Sequence, residues 1–349
     1  DKWNLIEILD CTQFNIFQTA TVRNTINTWR KGISDKVGYR KTKGQESFND
    51  LIRKERVLLP KTDLLEMNQN WGLAFMLSKN IIDIVFRIKD NKDELQTHFE
   101  ISQGYIPYRR SDLIKQFGKL EGNKIVNERL WHSESKENEE YLPEIFGREL
   151  DKYGTINKIK KSFVKYGKHL AGFIDLKFFN QKRILVREIT NPKIIASIIS
   201  DIYVNDPQLI SVIENGNALS LEFLWSILNS KLATFYHFNY SPKATKGAFP
   251  KILIQDIREF PLPKNVNTQS FVNLVDYILY LNSNKDILTH TDNGSICSHI
   301  ESILDMMVYE LYFEKHMKEQ GLNVLDFIKP KPLNEETNTQ QKEEIIKSF

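Results

Sequence analysis

The 349-residue sequence has little cysteine, and that excludes whole classes of architecture. Its two cysteines, Cys11 and Cys297, stand far apart. They cannot form a disulfide framework or a cysteine zinc site, and they suit a reducing compartment, so a cytoplasmic location is expected. No apolar run reaches the roughly 18 residues that a membrane-spanning helix needs, and no secretory signal is present. The seven histidines (98, 132, 169, 237, 290, 299 and 316) show no metal-like pair with two further ligands. No glycine-rich phosphate cradle and no nucleophile elbow occur. Glycine and proline are few, while 41% of the residues are hydrophobic and 11% aromatic. That composition describes a folded protein of two or three units with disorder only at its ends. The chain opens at Asp1, in mid-pattern, so a fragment of something longer is expected.

What is present is a basic strip. Between Asp151 and Lys193 there are eleven Lys/Arg against three acids, an excess of eight, whereas the whole chain carries +3. Phe163, Tyr166, His169, Phe173, Phe178 and Phe179 are interleaved with these cations. Such a strip suits a surface that tracks phosphates, with cations displacing counterions and rings stacking on bases. It equally suits a strand pair with lysines in solvent and rings inside. Directly before it, residues 131–144 hold five Glu and one Lys. That run would repel a polyanion, so it is expected as a loop on the far side or folded back over another element.

Taken in order, residues 5–9, 21–30 and 36–41 read as strands, and 44–52 as a short helix. Arg56–Pro60 is an edge, and a helix is expected from Trp71 to Ile88. Residues 99–106 form a strand in which Gly104 marks a tight turn or a close approach. Arg109 and Arg110 follow, either as forks for guanine or phosphate or as two solvated arginines in a turn. Residues 182–189 (KRILVREI) are the clearest strand, 219–239 a helix, 239–250 a loop with Lys243 and Lys246, and 252–260 a strand. From residue 264 the charge turns to −5, with helices expected at 272–281 and 296–311 and a mobile tail, with a short terminal helix, over 329–349. Asp151 with Asp175 and Lys177 formally matches a metal-dependent nuclease pattern, but two acids and a lysine recur by chance at this charge content.

Several segments resemble, in order, the specificity half of TaqI-like and type IIG restriction–modification adenine DNA methyltransferases. These are ISQGYIPYRR (101–110), LPEIFGREL (142–150), YGKHLA (166–171), KRILVREI (182–189), FLWSILNSKLATFY (223–236), FPKILIQDIREFPLP (249–263) and ILDMMVYELYFE (303–314). The Leu-Asn-Ser-Lys-Leu run at 228–232, with Pro-Leu-Pro at 261–263, is the most specific. The resemblance implies an α+β fold: a mixed-sheet target recognition domain with a helical C-terminal unit, preceded by the last strands of a truncated α/β methyltransferase sheet. The implied divisions are 1–60 (sheet tail), 61–98 (connector helix), 99–263 (recognition domain), 264–328 (helical unit) and 329–349 (flexible tail). It implies sequence-specific recognition of double-stranded DNA in a bacterial restriction–modification system. The implied contacts are Arg109, Arg110, Lys160, Lys161, Lys165, Tyr166, Lys168, Arg183, Lys243 and Lys246.

The family's Asn/Asp-Pro-Pro-Tyr/Phe motif is absent here. Catalysis and S-adenosylmethionine are therefore expected in a methyltransferase domain outside this sequence, which is also an expected partner, and whether the parent also cleaves DNA stays open. Two alternatives stand beside this reading. One is the specificity part of a phage-defence methyltransferase that binds DNA only within a larger complex. The other is a protein-interaction module with an acidic partner.

Overall fold

The computed structural model describes the chain except residues 1–2, 15, 18–23, 43–45, 67–70, 72–74, 76, 91, 158–160, 217–218, 242–243, 245–249 and 335. It contains sheets and helices in an α+β arrangement and divides into two compact units, Asp1–Phe86 and Arg87–Phe349. Among the described residues, no helix is long and apolar enough to cross a membrane.

The first unit holds a four-stranded sheet in the order β2 (Thr25–Lys31), β1 (Trp3–Asp10), β3 (Lys36–Lys41), β4 (Val57–Pro60). β1 is antiparallel to β2 and parallel to β3. Two short helices, α1 (Phe48–Arg53) and α2 (Lys61–Glu66), flank β4 in sequence. The expected strands 5–9 and 36–41 are present; that at 21–30 begins at Thr25, and residues 21–23 lie outside the described ones. The helix expected from Trp71 is described only as α3 (Lys79–Lys89), where Ile82, Val85 and Ile88 are buried at three-residue spacing.

The second unit rests on two further sheets. One runs β11 (Ala196–Ile199), β10 (Arg183–Arg187), β13 (Leu209–Glu214), β6 (Phe99–Gln103), antiparallel throughout. β10 lies inside it. Ile184, Leu185 and Val186 have no exposed surface, which is why that stretch is a continuous apolar run rather than an alternating one. The other sheet runs β12 (Val204–Asn205), β8 (Tyr141–Ile145), β9 (Phe163–Lys165), β7 (His132–Ser133). β7 and β8 both flank β9, so the acidic run between them folds back onto the basic strip. Outside its two strands, the described part of that strip is loop and short turns, not a strand pair. A small pairing of β5 (Asp93–Glu94) with β14 (Pro261–Leu262) completes the strands. Gly104 ends β6 where the chain passes against another segment. A Cβ there would lie 2.0 Å from the carbonyl oxygen of Asp206.

Residues 110–127, which carry no strong periodic signal, form a helical hairpin of α4 (Arg110–Phe117) and α5 (Lys119–Asn127). Gly122 makes this possible, because a side chain there would strike the backbone of Leu113 and Ile114. The helix expected over 219–239 is broken into α6 (Leu221–Leu228) and α7 (Lys231–Tyr240). The break has a cause. The Asn229 amide pairs with both the N–H and the carbonyl of Ala196 on the edge strand β11, standing in for a missing strand neighbour. Ser230 then accepts the N–H of Ala233 and starts the next helix. Lys231 pairs with Asp305, and Leu228 and Leu232 are buried.

The strand expected over 252–260 is instead α8 (Ile254–Arg258). Asp256 accepts the N–H of Leu253 at 2.7 Å and the hydroxyl of Ser241 at 2.8 Å, which favours a helix start. The two C-terminal helices appear as α9 (Gln269–Ser283) and α10 (Asn293–Glu319). Residues 329–349 are not a free tail. Asn273 and Tyr277 on α9 donate to the carbonyls of Pro330 and Lys331, and α11 (Thr339–Ser348) buries Ile346.

The structure corrects the role expected of Arg183. Its side chain has no exposed surface and donates to the carbonyls of Gln181, Asp201 and Tyr203 at 3.0, 3.1 and 2.8 Å. Burial pulls its pKa down to about 10. A guanidinium enclosed this way fastens the end of β10 to the 201–203 loop and cannot reach a ligand. Arg183→Ala should lower unfolding free energy by about 3 kcal/mol, since three carbonyls lose their donor and a fully buried side chain leaves a cavity. Equilibrium urea unfolding checks this, and an unchanged midpoint would contradict it.

His237 supplies a second test. It is 2% exposed, meets Thr190 Oγ1 at 3.0 Å, and burial pushes its pKa down to about 4. The folded state therefore keeps it neutral, while the unfolded chain takes up a proton below about 6.5. Its stabilising contribution is complete above pH 6.5 and is lost as pH falls towards 4, by roughly 3 kcal/mol in total. Asp206 and Asp276, both raised to about 6 by burial, act with the opposite sign over the same window. The comparison must therefore be with His237→Gln, whose unfolding free energy should fall less steeply than that of the parent between pH 6.5 and 4.

Candidate nucleic-acid interface

The expected contact residues separate into several groups. Lys160, Lys243 and Lys246 lie outside the described residues. Lys161 and Lys168 are exposed, and no ion pair is seen for Lys168 among the described residues. Lys165 lies 3.2 Å from Glu140. Arg109 stands at the start of α4, exposed, and pairs with Asp112 at 3.0 Å. Arg110 donates to the side-chain oxygens of Asn123 and Asn127 and so ties α4 to α5. The Tyr166 hydroxyl donates to the Ile174 carbonyl and accepts from its N–H, and its ring packs edge-on against Tyr105 and Phe179. Tyr166 therefore shapes the 166–174 loop from inside, and Arg183 belongs to the core.

The basic strip is also less bare than its charge count suggests. Acids from elsewhere in the chain come to it: Glu301 to Lys152, Glu140 to Lys165, Glu100 to Lys177 and Glu222 to Lys182. Lys165 and Lys177 are close to half exposed, as are their partners or more so, and exposed pairs of that kind are worth at most about 1 kcal/mol. A phosphate could replace either carboxylate at little cost. The acids of the nuclease-like pattern are otherwise engaged. Asp151 accepts the N–H groups of Tyr153 and Thr155, and Asp175 accepts that of Lys177. Among the described residues, no group of three His, Cys, Asp or Glu is placed to hold a metal ion.

Three segments meet at one place: 105–109, 128–132 and 166–169. Tyr108 stacks on Trp131 with centroids 4.9 Å apart, and His169 meets Trp131 edge-on at 4.8 Å. The carbonyl of Trp131 accepts the N–H of Lys165 at 2.8 Å. Arg109, Lys165 and Lys168 thus lie on or directly beside the three segments that meet at Trp131.

Beneath them lies Glu144, whose side chain is 1% exposed. Tyr105 donates its hydroxyl to it, Ser162 donates at 2.8 Å, and His132 Nε2 stands 3.7 Å away. Burial pushes the carboxyl pKa up, but hydrogen bonds from His132, Tyr105 and Ser162 outweigh it and hold the pKa low. The Trp131 N–H donates to the Tyr108 hydroxyl at 3.0 Å, which leaves that hydroxyl free to donate to His132 Nδ1 at 2.7 Å. Burial pushes the Tyr108 hydroxyl up to about 12, so it stays protonated for this role.

Sequence reasoning missed Arg129 and Trp131. Helix α5 ends in a Schellman turn: the Leu130 N–H donates to the Ile125 carbonyl at 3.2 Å, and Arg129 sits between them at φ +51°. Glycine is the usual residue there, because a Cβ in that region costs roughly 1–2 kcal/mol. The Arg129 side chain is 55% exposed and its guanidinium is 4.0 Å from Glu144. The signal in the sequence was faint: a lone arginine before an aromatic, outside the dense basic strip.

Known proteins bear on this arrangement. Residues 142–262 match the TaqI-like C-terminal specificity domain. A Methanocaldococcus jannaschii protein described as a type II restriction enzyme and methyltransferase is 29% identical over 204 residues, covering 55% of this chain and 16% of that protein. Among solved structures, the type I restriction–modification S subunit of M. genitalium aligns with a TM-score of 0.30 and 12% identity over 68% of this chain and 51% of its own. The HsdS subunit of Thermoanaerobacter tengcongensis aligns with a TM-score of 0.32 and 9% identity over 78% and 64%. The chain thus spans a minor part of its curated relative and about half to two thirds of these solved subunits. Over residues 142–262 the resemblance read from the sequence is borne out by the match to the TaqI-like C-terminal specificity domain.

Proposed function

We propose that this chain recognises double-stranded DNA in a sequence-dependent way, as the target-recognition part of a restriction–modification adenine-N6 DNA methyltransferase of the type IIG kind. The observation that carries the proposal is the meeting of the 105–109, 128–132 and 166–169 segments beside a matched specificity domain. They bring exposed cations and partly exposed rings to one rigidly supported place. In this reading Lys161 and Lys168 touch phosphate, and Lys165 and Arg109 exchange their weak carboxylate partners for phosphate. Trp131 and His169 offer flat surfaces at the groove edge.

Methyl transfer and S-adenosylmethionine belong, in this proposal, to a methyltransferase domain beyond this sequence, with the four-stranded sheet of the first unit as its last strands. The chain itself would not be catalytic, and the assembly would work in the cytoplasm. The M. jannaschii relative, far longer than this chain, is in keeping with that division of labour.

The test is binding of the chain to a randomised duplex pool across a salt series. We expect enrichment of one motif and an affinity that falls with salt, with a log–log slope of roughly −3 to −5 for a handful of phosphate contacts. Lys161→Ala and Lys168→Ala should each reduce that slope by about 1 and leave the enriched motif unchanged. Absence of binding even at low salt would sink the proposal for the isolated chain.

A further inference from the structure

We infer that Arg129 is a specificity-determining residue, presenting its guanidinium to a guanine edge in the bound duplex. The inference rests on the DNA-reading function proposed above and names one of its base contacts.

Four observations converge on Arg129. It occupies a left-handed position, at φ +51° in the Schellman turn after α5, where glycine would relieve strain. A strained position filled by a bulky cation needs a reason beyond the turn itself. The side chain is 55% exposed, and no hydrogen bond from its guanidinium is seen among the described residues. Among the described residues its donors are thus unheld by hydrogen bonds, in contrast to Arg110, held by Asn123 and Asn127, and Arg183, held by three carbonyls. The buried Glu144 carboxylate lies 4.0 Å from it, close enough to bias the direction of the guanidinium and too far for a hydrogen bond, and Asp206 also feels its charge. Finally, the turn is fixed on both sides. The His132 N–H donates to the Arg129 carbonyl at 2.8 Å, and Trp131 is stacked on Tyr108.

A planar fork on a rigid turn, pre-aimed and undonated, matches the paired O6 and N7 acceptors of guanine in the major groove. A phosphate contact would need neither the fork nor the rigid turn, and a lysine on any flexible loop would serve. The same buried carboxylate argues against a role in bulk charge attraction, because it offsets part of the arginine's charge.

The experiment compares the motif enriched from a randomised duplex pool by the unsubstituted chain, by Arg129→Gly and by Arg129→Lys, with melting temperatures measured alongside. Arg129→Gly should melt within a few degrees of the parent, because relief of the left-handed strain offsets loss of the weak Glu144 pair. It should lose discrimination at one guanine position by roughly 10- to 100-fold. Arg129→Lys keeps the charge and loses the fork, so its affinity for unrelated duplex should be retained while the same guanine preference disappears. An unchanged motif in both variants would overturn the inference and leave Arg129 as a counter-ion for Glu144. A uniform loss of affinity in Arg129→Gly, with the salt slope reduced by about 1 and the motif intact, would overturn it in favour of a phosphate contact. Failure of the unsubstituted chain to enrich any motif overturns the proposed function together with this inference. Motif enrichment that is indifferent to residue 129 overturns this inference alone.

Discussion

The carboxylate of Glu144 is the constraint on which the rest of the recognition surface depends. A charge with 1% exposure is tolerated only if donors surround it, since desolvation otherwise costs several kcal/mol. Here the donors come from separate stretches of chain: Tyr105 after β6, His132 on β7 and Ser162 before β9. Satisfying one buried charge therefore fastens the exit of one sheet to the strands of the other. Tyr108 and Trp131 are held through His132 in turn, so the surface rings inherit their positions from a buried ion. The exposed Arg109 and Arg129 stand next to residues held in this way, which is what a surface that discriminates one base from another requires.

Charge along the chain and charge on the surface turn out to be different quantities. The excess of eight positive charges between residues 151 and 193 is a property of sequence order. Folding brings Glu100, Glu140, Glu222 and Glu301 to that strip from as far as 149 residues away. It also buries Arg183 altogether. Among the described residues, the cations seen without an ion pair form a small set at the loops, and the acidic run at 134–140 folds back beside the strip. A surface balanced in this way limits indiscriminate attraction to polyanions. It leaves the discriminating contacts a larger share of total affinity.

Much of the scaffold was legible, because it follows from periodicity. The continuous apolar run of β10, the spacing of Ile82, Val85 and Ile88, and the two C-terminal helices all announce themselves. Gly104 was legible as a close approach, though not what it approaches. The strand expected over 252–260 failed because a single carboxylate, Asp256, caps a helix there and overrides β-branched composition. The helix expected over 219–239 is present but broken in two, because Asn229 is needed by Ala196, a residue 33 positions away that no local window contains. The site was less legible still. Arginines 109, 110, 129 and 183 look alike in the sequence, yet one pairs loosely with its neighbour, one pins two helices, one stands on a turn with no hydrogen bond among the described residues and one is entombed. Only tertiary contacts separate them, and short-range pattern carries none of that information.

The run that carries the resemblance most specifically, Leu228 to Leu232, shows no hydrogen bond or ion pair with the proposed DNA contacts among the described residues. Its residues cap an edge strand, start a helix and fill the core. The matched specificity domain covers 142–262, so Lys161, Lys165 and Lys168 fall inside it while Arg109, Arg129 and Trp131 fall before it. In the proposed roles, the three lysine phosphate contacts therefore sit on the matched scaffold, while the base contact Arg129 and the phosphate contact Arg109 sit on a helical hairpin and turn outside it. That division has a physical logic. Phosphate geometry is the same at every target, so a scaffold can carry it unchanged. Base edges differ from target to target, so their contacts belong on segments whose replacement leaves the core intact. The hairpin of α4 and α5 meets that condition: it is fastened internally by Arg110 and by the close packing at Gly122. It could be exchanged as a unit provided that the donors to Glu144 were kept.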